Sequence, residues 1–401
     1  MSKSQAHAWR FFYFFPRFCL ENIETSKSSI FTAKKVRICG NFTAKKVMII
    51  KIFYLYPRYN RDITLYLYCQ KGKVYKYLFV NICMSYLEKK RTSGKTYVSF
   101  VKKVSFMKKL FVIKKHLGIE SSTTSKERYL LDHIDDLSNE EFAFRVNFLK
   151  EVKGDISHNL NLPERIEMKA IRIDNLAEGK QCYQLVNAEF AKEFIFNSNN
   201  IEGSKIPPDR VREIIDSGDT KYKNRNEVRE VQNSILAFEY LKKSFKFNLI
   251  SIKRLYHILT KDLMMEGNVP YPRGFKKETN IVGNSPTTPP EKVNEELTQL
   301  IAWYKQNEYR MHPLILALEF HRRYEFIHPF LDGNGRTGRL IMNKILMSHG
   351  YSPIIIYKNN KMAYFNAIGK SKDGKLKNYY QFMLEQADMS YDYLLDVIKK
   401  Y

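Results

Sequence analysis

The residues able to do chemistry are concentrated in one stretch, HPFLDGNGRTGR, running from His328 to Arg339. Gly333, Asn334 and Gly335 permit backbone dihedrals closed to bulky residues, so consecutive N–H groups there can converge on an anion. A helix predicted to start at Gly335 aims its positive end at the same point. Arg336 and Arg339 lie three apart on that helix and therefore on one face, and two guanidiniums beside a backbone cradle suit a polyphosphate. Asp332, just ahead of the cradle, is placed as a hard oxygen ligand for Mg2+ bridging those phosphates. His328 carries an imidazole whose ordinary pKa suits removal of a hydroxyl proton near neutrality. Each residue has a bland reading of its own, since Asp-Gly-Asn-Gly is a common turn and paired arginines usually face water. Their convergence within twelve residues carries the functional one: attack by a hydroxyl on a nucleotide phosphate.

The elements around this stretch are helical. Apolar residues recur with helical spacing over 128–150, 163–176, 188–201, 226–245, 251–263, 290–304, 313–326, 335–348 and again from Leu376. The exception is 274–288, rich in Gly, Pro, Thr and Asn, where Thr279, Asn280, Ile281 and Val282 predict a short hairpin. The expected fold is mainly α, a helical bundle with one β-hairpin flap. A small antiparallel module precedes it: 86–90, 96–106 and 110–116 alternate apolar and polar residues, with turn residues at 91–94 and a closing Gly118. Lys102, Lys103, Lys108, Lys109, Lys114 and Lys115 are read there as outward-facing, either solubilising or a phosphate-binding face. His321 and Glu325, one helical turn apart, are read as packing residues rather than metal ligands, and His257 as structural.

Charge and cysteine divide the chain. Of 401 residues, 44% are hydrophobic, enough for real cores, and the net charge is +25. Residues 1–118 hold 25 basic and 4 acidic side chains, so any electrostatic partner concerns the front, for which nucleic acid is the candidate. Residues 1–83 show no sustained period, and FTAKKV occurs twice, at 31–36 and 42–47. They read as a basic extension, disordered or not normally translated, with the orderly protein starting at Met84. Cys19, Cys39, Cys69 and Cys83 lie in the front and Cys182 stands alone after it, without metal-type CxxC spacing, which favours a reducing compartment. Apolar runs are too short for a membrane span, and the Phe11–Phe15 stretch is cut by Pro16 and Arg17 before it resembles a signal peptide. The expected location is cytoplasmic.

The stretch from His328 to Arg339 resembles the signature HxFx(D/E)GNGRxxR of the Fic family at every specified position, and the similarity extends over roughly residues 249–384. The resemblance implies a Fic-type fold and transfer of AMP from ATP to a Ser, Thr or Tyr hydroxyl of a protein. By position it makes His328 the general base and Asp332 the Mg2+ ligand. Gly333, Asn334 and Gly335 become the phosphate nest, Arg336 and Arg339 the β/γ-phosphate contacts, and Thr337 and Gly338 part of the same nucleotide-binding run. Relatives that phosphorylate lack the intact GNGR, which argues against a kinase. The resemblance also makes the flap a strand-addition site for the target. Tyr364 and Phe365 fall where relatives contact adenine, and Lys372 where some place an asparagine.

Ser198, Glu202 and Gly203, in FNSNNIEG, fit the family's inhibitory pattern (S/T)xxxE(G/N), an N-terminal inhibitory helix. In that reading Glu202 pairs with Arg339 and withholds it from the γ-phosphate. In some relatives the same glutamate aligns a water that removes AMP again. Inhibitory-helix relatives are often dimers, which makes a homodimer the expectation by analogy. The resulting division is 1–83 extension, 84–118 β module, 119–127 linker, 128–248 helical region, 249–388 catalytic domain and 389–401 C-terminal tail. The rival reading is an ATP-sensing regulator that binds nucleic acid through residues 1–118.

Overall fold

The computed structural model describes residues 85–151, 161–282, 285–372 and 374–401, together with the backbone of five strands between Arg17 and Phe79. Those five strands pair in chain order as an antiparallel meander within a unit of their own, Met1–Ile82. The expectations for residues 1–83, including the four front cysteines and the repeated FTAKKV, otherwise lie outside the described residues. No helix among the described residues is long and apolar enough to cross a membrane.

The second unit, Cys83–Tyr401, begins with three strands, Ser85–Thr92, Lys95–Phe106 and Lys109–Ile119, paired in that order. Alternation along the middle strand turns Val98, Phe100, Lys102, Val104 and Phe106 to one face, and all five are buried. Helices Lys126–Asp132, Ile134–Glu151 and Asn161–Gly179 cover that face. Lys102 is therefore not on an outward phosphate-binding face. Its ammonium is 2.5 Å from the equally buried Glu141 and also donates to Asn175. Arg145 continues the network, bonding Glu141 and, at 3.0 Å, Glu167, which accepts from the Tyr351 hydroxyl at 2.6 Å. Burial opposes the charge on Glu167, but the bonds from His312 and Tyr351 and the Arg145 charge outweigh it and hold the carboxyl at about 2. Buried charges persist only when paired this way, and here they tie the module to the helices. Among the other module lysines, Lys114 pairs with Glu88 and Lys115 with Glu140, while Lys108 lies 4.0 Å over the Tyr309 ring.

Helices Pro313–Ile327 and Asn334–Ser348 form the centre, buried on nearly every side. Helices Tyr183–Ile201, Arg225–Lys243, Leu249–Leu259, Val293–Asn307 and Leu376–Lys399 pack around them. Two helices, Pro208–Ser217 and Lys361–Lys372, lack an expected counterpart. The first had a readable signal, with Pro208 in its first turn and Gly218 ending it at φ 71°. The expected 128–150 helix is two, Lys126–Asp132 and Ile134–Glu151. No tail begins at 389: the last helix runs to Lys399 because Tyr391, Leu394, Val397 and Ile398 continue its apolar stripe into the core.

Candidate active site

The loop joining the two central helices is fixed by its own side chains. The first helix ends at His328, whose backbone is left-handed at φ 48° and whose N–H bonds the Tyr324 carbonyl at 2.9 Å. Pro329 then prevents continuation. Asn334 accepts from the Phe330 N–H through Oδ1 and donates to the Phe330 carbonyl through Nδ2, both at 2.8 Å, so its side chain closes the loop. The Phe330 ring is buried and stacks on Tyr256 with centroids 3.8 Å apart. Gly333, at φ 78°, turns the chain into the second helix, and the Thr337 hydroxyl caps back onto its carbonyl at 2.8 Å.

Five charged side chains meet at the amino end of that helix. Arg339 donates to Ser198 Oγ at 3.0 Å, to the Ser198 carbonyl at 2.9 Å and to Glu202 Oε1 at 2.7 Å. A methyl group at Gly335 would stand only 2.3 Å from that same Glu202 oxygen, so the carboxylate lies against the first turn, where helix dipoles favour an anion. Arg336, also buried, pairs at 2.9 Å with Glu230 from helix Arg225–Lys243. Burial opposes the charge on both arginines, yet Glu230 beside Arg336 and Glu202 beside Arg339 hold them above the usual guanidinium range. Asp332 is exposed, receives the Tyr271 hydroxyl at 2.7 Å and accepts from the Gly333 N–H at 2.5 Å. Gly203 follows at φ 107°, a conformation that favours glycine.

The His328 imidazole lies beside this group with Nδ1 turned inward, 4.0 Å from the Glu325 carboxylate. Burial, helped by the neighbouring Lys276 charge, pushes its pKa down to about 4, not the near-neutral value expected of the residue type. Burial raises Glu325 to about 8 against the pull of Arg339 and with a push from Glu202. The flap reaches the same loop: Lys276 N–H bonds the Pro329 carbonyl at 2.9 Å, and Asn280 Nδ2 the Phe330 carbonyl at 3.0 Å. Beyond it Ile281–Val282 pairs with Ser285–Pro286, while Thr279 is exposed.

Residues 246–346 match the Fic/DOC family model. They form a Fic/DOC domain. The chain is 25% identical over 238 residues to Protein adenylyltransferase Fic of Aedes aegypti and 28% identical over 241 residues to that of Culex quinquefasciatus. In each case 58% of this chain is covered and 47% of the relative, so the chain spans about half the length of the curated relatives it matches. A Fic family protein from Desulfovibrio desulfuricans G20 shares the fold with a TM-score of 0.53 at 21% identity, covering 61% of this chain and 76% of that one.

Within and around the Fic/DOC domain, the structure gathers His328, Asp332, Gly333, Gly335, Arg336 and Arg339 with Ser198 and Glu202, which come from the far end of helix Tyr183–Ile201 and its cap. Asn334 and Thr337 brace the loop with their side chains. Gly338 is needed for packing, since a methyl there would meet Glu325 Oε1 at 2.6 Å. Tyr364 is buried with its hydroxyl 2.7 Å from His321 Nε2, so it supports the centre from behind, whereas Phe365 beside it is 38% exposed. His321 thus has a packing partner, and no cluster of three metal-ligating side chains occurs among the described residues. Lys372 donates at 2.7 Å to the Pro286 carbonyl, on the flap. Sequence reasoning missed Tyr271, Lys276 and Glu230. Only the acidic character of Glu230 on a helical face hinted at an arginine partner.

Proposed function

We propose that the chain is a protein adenylyltransferase that moves AMP from ATP to a Ser, Thr or Tyr hydroxyl of a target protein, and that Glu202 restrains it. The observation that carries the reading is the Glu202 carboxylate seated against the first turn of the motif helix and gripped by Arg339: an anion already sits where a phosphate would be favoured. The names of the curated relatives support the same activity.

The residues fit a Mg-ATP substrate. Asp332, exposed at the lip of the cradle, would hold Mg2+ together with phosphate oxygens, and the ion would supply charge neutralisation there. The chain's own groups do the rest. With Nδ1 buried, Nε2 is the imidazole nitrogen left to receive the proton of the target hydroxyl, and a pKa held near 4 keeps it unprotonated at neutral pH. The hydroxyl oxygen bonds the α-phosphorus as the bond to the bridging oxygen breaks, and pyrophosphate leaves with its charge set against Arg336 and Arg339. The flap holds the target backbone by strand addition. With Arg339 engaged by Glu202, the γ-phosphate loses its partner. We further assign the protein to a reducing compartment, the cytoplasm, from the single cysteine, Cys182, in residues 84–401.

The test compares Glu202→Gly with Glu202→Gly/His328→Ala, each incubated in lysate with an alkyne-tagged ATP analogue. Bands in the first lane alone are expected. Equal labelling by the two would overturn the reading.

A further inference from the structure

The hairpin formed by Ile281–Val282 and Ser285–Pro286 stands on two feet, Asn280 before it and Thr287 after it. The feet touch, with the Thr287 hydroxyl donating to the Asn280 carbonyl at 2.9 Å and the Thr287 N–H to the same carbonyl at 3.2 Å. One ammonium holds both: Lys276 Nζ lies 2.6 Å from Asn280 Oδ1 and 2.6 Å from Thr287 Oγ1. The same nitrogen donates to the Ile327 carbonyl at 3.3 Å, and the Lys276 backbone N–H to the Pro329 carbonyl at 2.9 Å. Residues 327 and 329 flank His328. A lysine has three N–H donors, and these bonds take all three to neutral oxygens.

A buried cation bonded to neutral oxygens is costly, and burial pushes Lys276 down to about 8. It remains charged at neutral pH beside an imidazole held in a left-handed backbone conformation that non-glycine residues rarely adopt. We propose that Lys276 is a positioning residue that locks the flap to the backbone on either side of His328, so that one side chain sets both where the target docks and where the imidazole stands. The inference rests on the proposed transfer reaction but uses contacts that reaction does not. Strand addition alone needs only the hairpin edge, and nucleotide binding alone only the loop and helix. Lys276 makes the two move together.

Four titratable groups face His328: Lys276 from the flap, Glu325 from its own helix, Glu202 from the cap of helix Tyr183–Ile201, and Asp332 from the loop. Lys276 is the one that works against imidazole protonation, so removing it raises the imidazole midpoint, whereas a disturbed hairpin elsewhere does not.

The experiment uses the full chain carrying Glu202→Gly, with Lys276→Met, Lys276→Arg and Thr287→Val added singly. Three quantities are read: Mg-ATP affinity by calorimetry, the rate of self-labelling from labelled ATP, and, without nucleotide, the His328 titration midpoint by NMR with amide exchange over 279–288. Lys276→Met is expected to leave Mg-ATP affinity within about twofold and to slow labelling by ~10- to 100-fold, the scale of a misplaced reacting group. It should also raise the His328 midpoint and speed flap exchange. Lys276→Arg, which keeps the charge, should restore the midpoint. Thr287→Val should speed flap exchange without moving the midpoint, and it tests the lock even if Lys276→Met fails to fold. Unchanged exchange in Thr287→Val, or an unchanged midpoint in a folded Lys276→Met, would overturn the proposal. Absence of labelling by the Glu202→Gly parent would count against the transfer reading instead, because the exchange and titration readouts need no turnover.

Discussion

Replacing Glu202 with glutamine keeps its size and removes its charge. The hydrogen bond from Arg339 Nη2, 2.7 Å long, changes from charge-assisted to one with a neutral acceptor, while the two bonds to Ser198 remain. Bonds with a charged partner contribute about 1.5–3 kcal/mol and neutral ones about 0.5–1.5, so the closed arrangement loses about 1–2 kcal/mol. The Glu202 side chain is 22% exposed against 1% for Arg339, which places the effect toward the lower half of that range. The population with Arg339 released then rises by ~5- to 13-fold, since each 1.36 kcal/mol is tenfold. Glu202→Gly removes the oxygen from the first turn of the motif helix as well, and so should exceed Glu202→Gln. The assay is the initial rate of self-labelling from labelled ATP at saturating Mg-ATP, with the order Glu202→Gly, Glu202→Gln, wild type. A Glu202→Gln rate equal to wild type would refute the claim that the charge contact is the restraint. Equal rates for all three would refute any restraint by Glu202.

Lys102→Met should destabilise the unit of residues 83–401 by about 3 kcal/mol in urea unfolding, because it breaks a pair whose members are each 1% exposed. The exposed neighbour changed as Lys103→Met should stay within about 0.5 kcal/mol, and parity between the two would return Lys102 to the surface. A general base works unprotonated, so lowering its pKa moves the acid limb of the rate profile to lower pH. With His328 held at about 4, kcat/KM for the Glu202→Gly protein should be flat from about pH 5 to about pH 7 and fall only below that. A limb centred near the ordinary imidazole value would contradict the burial argument.

The loop of the candidate site was legible in the sequence because its parts are contiguous: turn glycines, loop-closing asparagine, helix start and both arginines fall between His328 and Arg339. Partners brought in by packing were not. Tyr271 reaches Asp332 across 61 residues, Glu230 reaches Arg336 across 106, and Lys276 finds its feet only once the hairpin forms. Ser198 and Glu202 were found through resemblance, since nothing local to FNSNNIEG specifies an arginine 137 residues away. Lys102 was misread although the signal was present. Strand period two places it with Val98, Phe100, Val104 and Phe106, and counting lysines hid the face they share. The imidazole pKa could not be read from residue type, because the shift comes from burial and from Lys276, both tertiary.

The central claim is that the transferred group is AMP. The Glu202→Gly protein, with Glu202→Gly/His328→Ala as control, should be incubated in parallel with ATP labelled at the α- and at the γ-phosphate, and the label retained on protein counted. Retention of the α label alone, lost in the control, is the predicted result. Retention of the γ label, or α label undiminished in the control, would contradict the account.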